Sequence, residues 1–294
     1  MPKARNGAVE LEYDTFGRKG DRPLLLVMGL GAQMIAWREG FCELLAAAGH
    51  HVVRYDNRDV GLSTKFDAHG VPSMAELAEK LMRGEKPSVP YTLDDMADDA
   101  VAVMDETGMD RAHIVGASMG GMIVQTVAIR HPGRLRSMTS IMSTTGNPDL
   151  PRATPEAMAA LTAPPATNRD EAIARAVNSS KVIGSQVHLP DPVEQREFAG
   201  QVFDRSFNPM GVARQMAAVT AHGNRKPALA NVTTPTLVLH GREDPLVPVT
   251  GGIDTWEAIP GADLLVLAGM GHDLPKPLWP RIVRAITELT ERTH

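Results

Sequence analysis

The stretch Gly116-Ala117-Ser118-Met119-Gly120 constrains this chain more than any other. It follows an apolar run, His113-Ile-Val-Gly116, and precedes Met122-Ile-Val-Gln-Thr-Val-Ala128, which has a helical pattern. A buried strand must therefore hand over to a helix within a residue or two. So tight a turn holds its central residue in strained backbone geometry, and the flanking glycines let strand and helix approach each other. The serine hydroxyl then stands clear at the end of a sheet. The amide of Met119 points from a helix N-terminus toward any negative charge that develops beside it. The plain alternative is a glycine-rich turn whose serine only caps the helix.

Elsewhere short apolar runs alternate with segments of helical period, the pattern of a mostly parallel sheet with helices on both faces. Residues 9–13 alternate apolar and polar and read as a half-exposed strand. Leu24-Leu-Leu-Val-Met28, closed by Gly29, reads as a strand buried on both faces. Residues 37–48 read as a helix stopped by Gly49, and 51–55 as the next strand. Between Thr92 and Thr107, Leu93, Met96, Ala100, Val103 and Met104 recur at helical spacing, with Thr92 placed to cap them and Asp94, Asp95 and Asp98 in the first turns. A strand at 112–115, a helix at 119–130 and a strand at 137–142 follow. From about Thr145 to Lys226 the rhythm lapses into a proline-rich stretch with helical patches at 171–177 and 212–219. It resumes with strands at 235–240 and 263–267 and a closing amphipathic helix at 280–291. The expected organisation is an α/β core built from residues 1–144 and 227–294, with a mainly helical cap at 145–226.

Composition narrows the function. A chain of 294 residues is long enough to bury a large core without disulfides or metals. The net charge of −5 argues against a nucleic-acid surface, which needs a basic stripe. The apolar residues between Pro23 and Trp37 are interrupted by glycines and Gln33, and fall short of the ~20 that a membrane span requires. With a single cysteine, Cys42, and no apolar leader at the start, a cytoplasmic location is expected.

A serine is a poor nucleophile unless a base takes its proton. Of ten histidines, His50, His51, His69 and His131 lie beside turns or helix ends. His113 begins a strand, His188 and His222 fall in the expected cap, and His240 ends a strand, where a structural role is the natural reading. His272 differs, because it sits in Gly269-Met-Gly-His-Asp273, just past the last strand and far C-terminal to Ser118. The acid that orients it should follow the strand before, where Leu237-Val-Leu-His-Gly241 leads into Arg242-Glu-Asp244-Pro. Asp244 is preferred because Pro245 fixes the chain after it; Glu243 remains a competitor, and Asp273 is too near His272 in sequence. A carboxylate here would fix the imidazole tautomer and stabilise the imidazolium. A second amide donor, Leu30 N–H, is expected in Met28-Gly29-Leu30-Gly31 after the first buried strand, beside Met119 N–H. Leu30, Met34, Met119 and Met142 are candidate walls of an acyl pocket, which the sixteen methionines could make adaptable.

These segments, with Arg54-Tyr-Asp-Asn-Arg-Asp-Val-Gly-Leu-Ser63, resemble the α/β-hydrolase superfamily over nearly the whole chain. The last resembles the family's D-x-R-G-x-G-x-S element, with Asp59 where glycine is usual. In the family that element is mainly structural, so Asp56 and Arg58 are not taken as catalytic. Met28 before Gly29, together with the Arg-Tyr-Asp-x-Arg-Asp run, is similar to aclacinomycin methylesterase-like bacterial hydrolases. The resemblance implies the α/β-hydrolase fold and hydrolysis of carboxylic esters through an acyl-serine, on small to medium acyl esters or a methyl ester of a larger molecule. It implies a capped pocket, no cofactor and a small-molecule ester as substrate; no metal site is expected, and the oligomeric state is left open. The rivals are perhydrolysis, as in cofactor-free haloperoxidases, carbon–carbon bond hydrolysis with the same triad, and a ligand receptor that retains the fold.

Overall fold

The computed structural model describes residues 2–294. One eight-stranded sheet organises the chain: β1 (Lys3–Asn6), β2 (Val9–Phe16), β3 (Arg22–Val27), β4 (His50–Tyr55), β5 (Ala112–Ala117), β6 (Leu135–Ile141), β7 (Thr236–Gly241) and β8 (Asp263–Leu267). The spatial order is β1-β2-β4-β3-β5-β6-β7-β8. β2 pairs antiparallel with β1 and β4, whereas all pairings from β4 across to β8 are parallel. The helices between strands are α1 (Glu39–Ala47), α2 (Met74–Met82), α3 (Leu93–Glu106) and α4 (Met119–Arg130). After β6 come α5 (Pro155–Thr162), α6 (Arg169–Ile183), α7 (Pro192–Arg205), α8 (Pro209–His222) and the single turn α9 (Lys226–Leu229); α10 (Val249–Ala258) and α11 (Trp279–Arg292) complete the chain. None of the helices in the described residues is long and apolar enough to cross a membrane.

Strand pleating divides the apolar residues between two core layers. Leu25, Val27, Val53 and Ile114 point to one face, where they meet Met96, Ala100 and Val103 of α3 and Ile123, Val124 and Val127 of α4. Their chain neighbours Leu24, Leu26, Val52 and Val115 point to the other, against Phe41, Cys42 and Leu45 of α1 and Ile282, Val283 and Ile286 of α11. Burial on both faces is why these strands read as unbroken apolar runs.

The proline-rich stretch is helical because its prolines occupy helix starts. Pro155, Pro192 and Pro209 each open a helix, behind N-caps Thr154, Asp191 and Asn208 whose side chains accept from the first turn's amides. Proline costs nothing where the N–H has no acceptor and φ is already near −65°. Prolines at their starts hide α5 and α7 from the periodicity of the chain, and α6 and α8 extend well beyond 171–177 and 212–219. β1, α2 and α10 were also unforeseen; α10 contains Gly251-Gly252, and its helicity is supported by packing, with Gly252 lying against the His240 ring. At Thr92 the expected cap is present as a full capping box with Asp95.

α8 is tied to the core by a buried cation. Arg214 has 1% of its side chain exposed and bonds both Asp59 oxygens at 2.8 Å, and Asp67 at 2.6 Å. The Tyr91 hydroxyl donates to Asp59 at 2.6 Å. Asp59 itself lies at φ 73°, the left-handed region, which accounts for glycine being usual at that position in the resembling family.

Candidate active site

Parallel strands bring their C-terminal ends to one edge of the sheet, and the residues singled out by sequence lie just beyond those ends. Ser118 follows β5, Leu30 follows β3, Asp244 follows β7 and His272 follows β8. The register sets β3, β5, β6, β7 and β8 side by side there, with Val27 opposite Gly116, Ala117 opposite Ile141, Ile141 opposite Leu239 and Gly241 opposite Leu267.

Ser118 occupies φ 56°, ψ −119° between β5 and α4. The flanking glycines are required sterically: a Cβ at Gly116 would overlap the Gly120 carbonyl, and one at Gly120 would overlap that of Val27. Ser143 Oγ donates to the Ser118 carbonyl at 2.8 Å, holding the turn from the neighbouring β6 end. The Ser118 hydroxyl lies 3.0 Å from His272 Nε2, and His272 Nδ1 lies 2.7 Å from Asp244 Oδ2. A carboxylate can only accept, so Nδ1 carries the proton and Nε2 is left to accept from the serine.

Asp244 is held by more than the imidazole. Its Oδ1 accepts from the amides of Leu246 at 2.9 Å and Val247 at 2.8 Å. On its other side lies the wholly buried His240, with Nε2 3.6 Å from Asp244 Oδ2 and donating to the Val247 carbonyl at 2.8 Å. Burial opposes ionisation of Asp244, but the attraction of His272 when its ring is protonated, the nearby His240 ring, the His272 hydrogen bond and the Val247 amide outweigh it, and the carboxyl is held down at about 2. Glu243, the competing carboxylate, turns away and accepts from Gly269 N–H at 2.7 Å.

The two amides expected as oxyanion donors both lie in segments that border the serine. Met119 N–H opens α4, where no intrahelical acceptor exists. Gly29 packs against the elbow so closely that a Cβ there would sit 3.0 Å from Ser118 Cβ and 3.6 Å from Met119 N, bringing the adjoining Leu30 beside them. Among the described residues nothing accepts a hydrogen bond from Leu30 N–H. Neither amide donates a hydrogen bond within the described residues. Met34 has no exposed surface and Met142 has 5%, the latter packed with Met28, Val115 and Ala117.

Several contributors carried no sequence signal. Ser185, just after α6, clamps the histidine loop: its N–H and Oγ donate to Asp273 at 3.0 and 2.5 Å, and its Oγ accepts from Gly271 N–H at 3.0 Å. His272 N–H donates to the Ile183 carbonyl at 2.7 Å. Burial pushes the Asp273 carboxyl upward against the two bonds from Ser185. Asp56 and Arg58 are engaged in structural pairs, as expected, with Arg205 at 2.7 Å and Asp99 at 2.6 Å.

Comparison with known proteins bears on the family and the fold. The profile of the alpha/beta hydrolase fold family matches residues 22–275. The chain is 29% identical over 303 residues to the rhodomycin D methylesterase DauP of Streptomyces sp. (strain C5), covering 95% of this chain and 94% of that one. It is 26% identical to a 2-hydroxy-6-oxononadienedioate/2-hydroxy-6-oxononatrienedioate hydrolase of Cupriavidus pinatubonensis, across 86% and 81% of the two chains. In fold it is similar to a meta-cleavage product hydrolase from Pseudomonas fluorescens IP01, with TM-score 0.75, 20% identity, and coverage of 100% of this chain and 98% of that one.

Proposed function

The chain belongs to the alpha/beta hydrolase fold family, and from that premise we propose that it hydrolyses carboxylic esters with Ser118 as nucleophile, His272 as base and Asp244 as the orienting acid. The observation that carries the proposal is the unbroken relay from Asp244 to His272 to Ser118, at 2.7 and 3.0 Å. Ser118 Oγ attacks the ester carbonyl while its proton passes to His272 Nε2. The carbonyl oxygen takes up the charge and is held by the amides of Leu30 and Met119. The tetrahedral intermediate collapses as His272 returns the proton to the leaving alcohol. Water then enters, loses a proton to the same nitrogen and attacks the acyl carbonyl, releasing the acid and restoring the Ser118 hydroxyl. Asp244, already anionic and fully bonded, needs no rearrangement as the imidazolium forms.

The substrate proposed is a methyl ester carried by a larger molecule, with methanol as leaving group. Its support is the similarity, over nearly the full length of both chains, to a rhodomycin D methylesterase. Helices α5–α8, read as a cap over residues 145–226, would then enclose the larger acyl part. The test compares matched methyl, ethyl and butyl esters of a polycyclic aromatic acid, with Ser118→Ala as control. A preference for methyl, absent in Ser118→Ala, is expected. Activity that survives in Ser118→Ala would overturn the mechanism, and indifference to the alcohol would overturn the substrate class.

A second reading is favoured by the similarity to the 2-hydroxy-6-oxononadienedioate hydrolase: carbon–carbon hydrolysis of a vinylogous diketone by the same relay. Turnover of such a diketone exceeding that of every ester would select it.

A further inference from the structure

The tip of the loop after β3 is held by the inserted helices, whereas its two ends are held by the core. Asn57 Nδ2 donates to the Met28 carbonyl at 2.8 Å, and Met34 N–H donates to Asp56 Oδ1 at 2.7 Å. Between these anchors Gly29-Leu30-Gly31-Ala32 forms a tight turn, closed by Ala32 N–H on the Gly29 carbonyl at 3.2 Å, with Gly31 in its third position at φ 67°. The Gly31 N–H points out of the turn and donates to Gln215 Oε1 at 2.8 Å. Gln215 lies on α8, is wholly buried, and spends its other amide atom on the Arg58 carbonyl at 2.8 Å. Val212, one turn earlier on α8, presses on the same point: a Cβ at Gly31 would meet its Cγ2 at 2.9 Å.

The peptide plane that Gln215 grips is the one joining Leu30 to Gly31. The unspent Leu30 N–H is on the neighbouring plane, joined to the gripped one at the Leu30 Cα, so the bond to Gln215 restricts how far that amide can turn. Gln215 has no surface left for a substrate and no free polar atom to offer one. Nor is it needed to anchor α8, since Arg214 beside it already does so through Asp59 and Asp67.

We propose that Gln215 is a positioning residue for oxyanion stabilisation, acting through Gly31 to aim the Leu30 N–H, so that the inserted helices contribute to the chemical step as well as to enclosure. This rests on the ester-hydrolase reading above. Its test uses the full-length enzyme with p-nitrophenyl butyrate. Gln215→Met removes both hydrogen bonds at similar volume, and Gln215→Asn keeps an amide one methylene too short to span both partners.

Thermal melts confirm folding, and kinetics are read well below both melting points. Misaiming a preorganised donor should lower kcat about 10- to 100-fold in Gln215→Met, and less in Gln215→Asn, with little change in KM. Affinity for a trifluoromethyl ketone, whose serine adduct carries the oxyanion, should fall by the same factor as kcat/KM. A merely structural role would not produce that proportionality. Should Gln215→Met fail to fold, Gln215→Asn carries the comparison. Ser118-dependent turnover with kcat unaltered in the folded variants, or a loss wholly in KM, overturns this inference alone. Wild-type enzyme without Ser118-dependent turnover overturns the hydrolase reading and this inference with it.

Discussion

Strain at Ser118 can be measured by comparing two variants that lack its hydroxyl. Ser118→Ala and Ser118→Gly both remove the hydroxyl and its 3.0 Å contact with His272, so their difference isolates the Cβ atom. At an ordinary buried position alanine to glycine is destabilising. The freer unfolded chain costs about 0.5–1 kcal/mol, and the lost methyl burial costs up to about 0.8 kcal/mol. Ser118, however, sits at φ 56°, ψ −119°, outside the regions that residues with a side chain normally occupy. Holding a Cβ there costs about 1–3 kcal/mol, and glycine releases it. Taking about 2 kcal/mol for the strain against about 1.5 kcal/mol for the two losses, Ser118→Gly should match Ser118→Ala or exceed it by about 0.5 kcal/mol. Equilibrium urea unfolding of both variants reads this directly, as midpoints compared at equal m. A glycine variant about 1.5 kcal/mol less stable than the alanine variant, the ordinary penalty, would refute the claim that the elbow stores strain.

Asp244→Asn keeps an oxygen for the Leu246 and Val247 amides but can no longer fix the His272 tautomer, and kcat should fall on the order of 10⁴-fold; loss of less than tenfold would argue against Asp244 as the orienting acid. The same carboxyl is held at about 2, below its ordinary 3.8, so its contribution to stability is complete above 3.8 and disappears as pH falls through 2. That contribution is about 2 kcal/mol, and the stability deficit of Asp244→Asn should shrink between pH 4 and pH 2; a deficit constant across that window would remove the linkage. Arg214→Met should destabilise by about 3–5 kcal/mol, because Asp59 is left charged and buried without its partner. Adding Asp59→Gly removes both that charge and the strain of a Cβ at positive φ, so urea titration should show the double variant more stable than Arg214→Met alone.

The local pattern of the chain determined the parts of this protein whose cause is local. The runs at β3, β5 and β7 are legible because strands buried on both faces are mostly apolar, and the elbow is legible because only glycine fits at Gly116 and Gly120. Ser118, Asp244 and His272 could be nominated because the candidate acid and base follow strand ends, and parallel strands bring those ends to one edge. The choice of Asp244 over Glu243 was open in the sequence. Tertiary structure orients them differently, with Asp244 toward the imidazole and Glu243 onto the Gly269 amide. The prolines at 155, 192 and 209 read as breaks, since proline at a helix start and proline in a loop look alike until the helix beyond finds a packing partner. Gln215, Ser185 and His240 carry no pattern at all. Their contacts with Gly31, Asp273 and Asp244 span 184, 88 and 4 positions, and even the shortest depends on how the loop after β7 folds back. A side chain whose partner is fixed only by the packing of helices against loops leaves no trace in its own neighbourhood of the chain, and such contacts were decided by the fold alone.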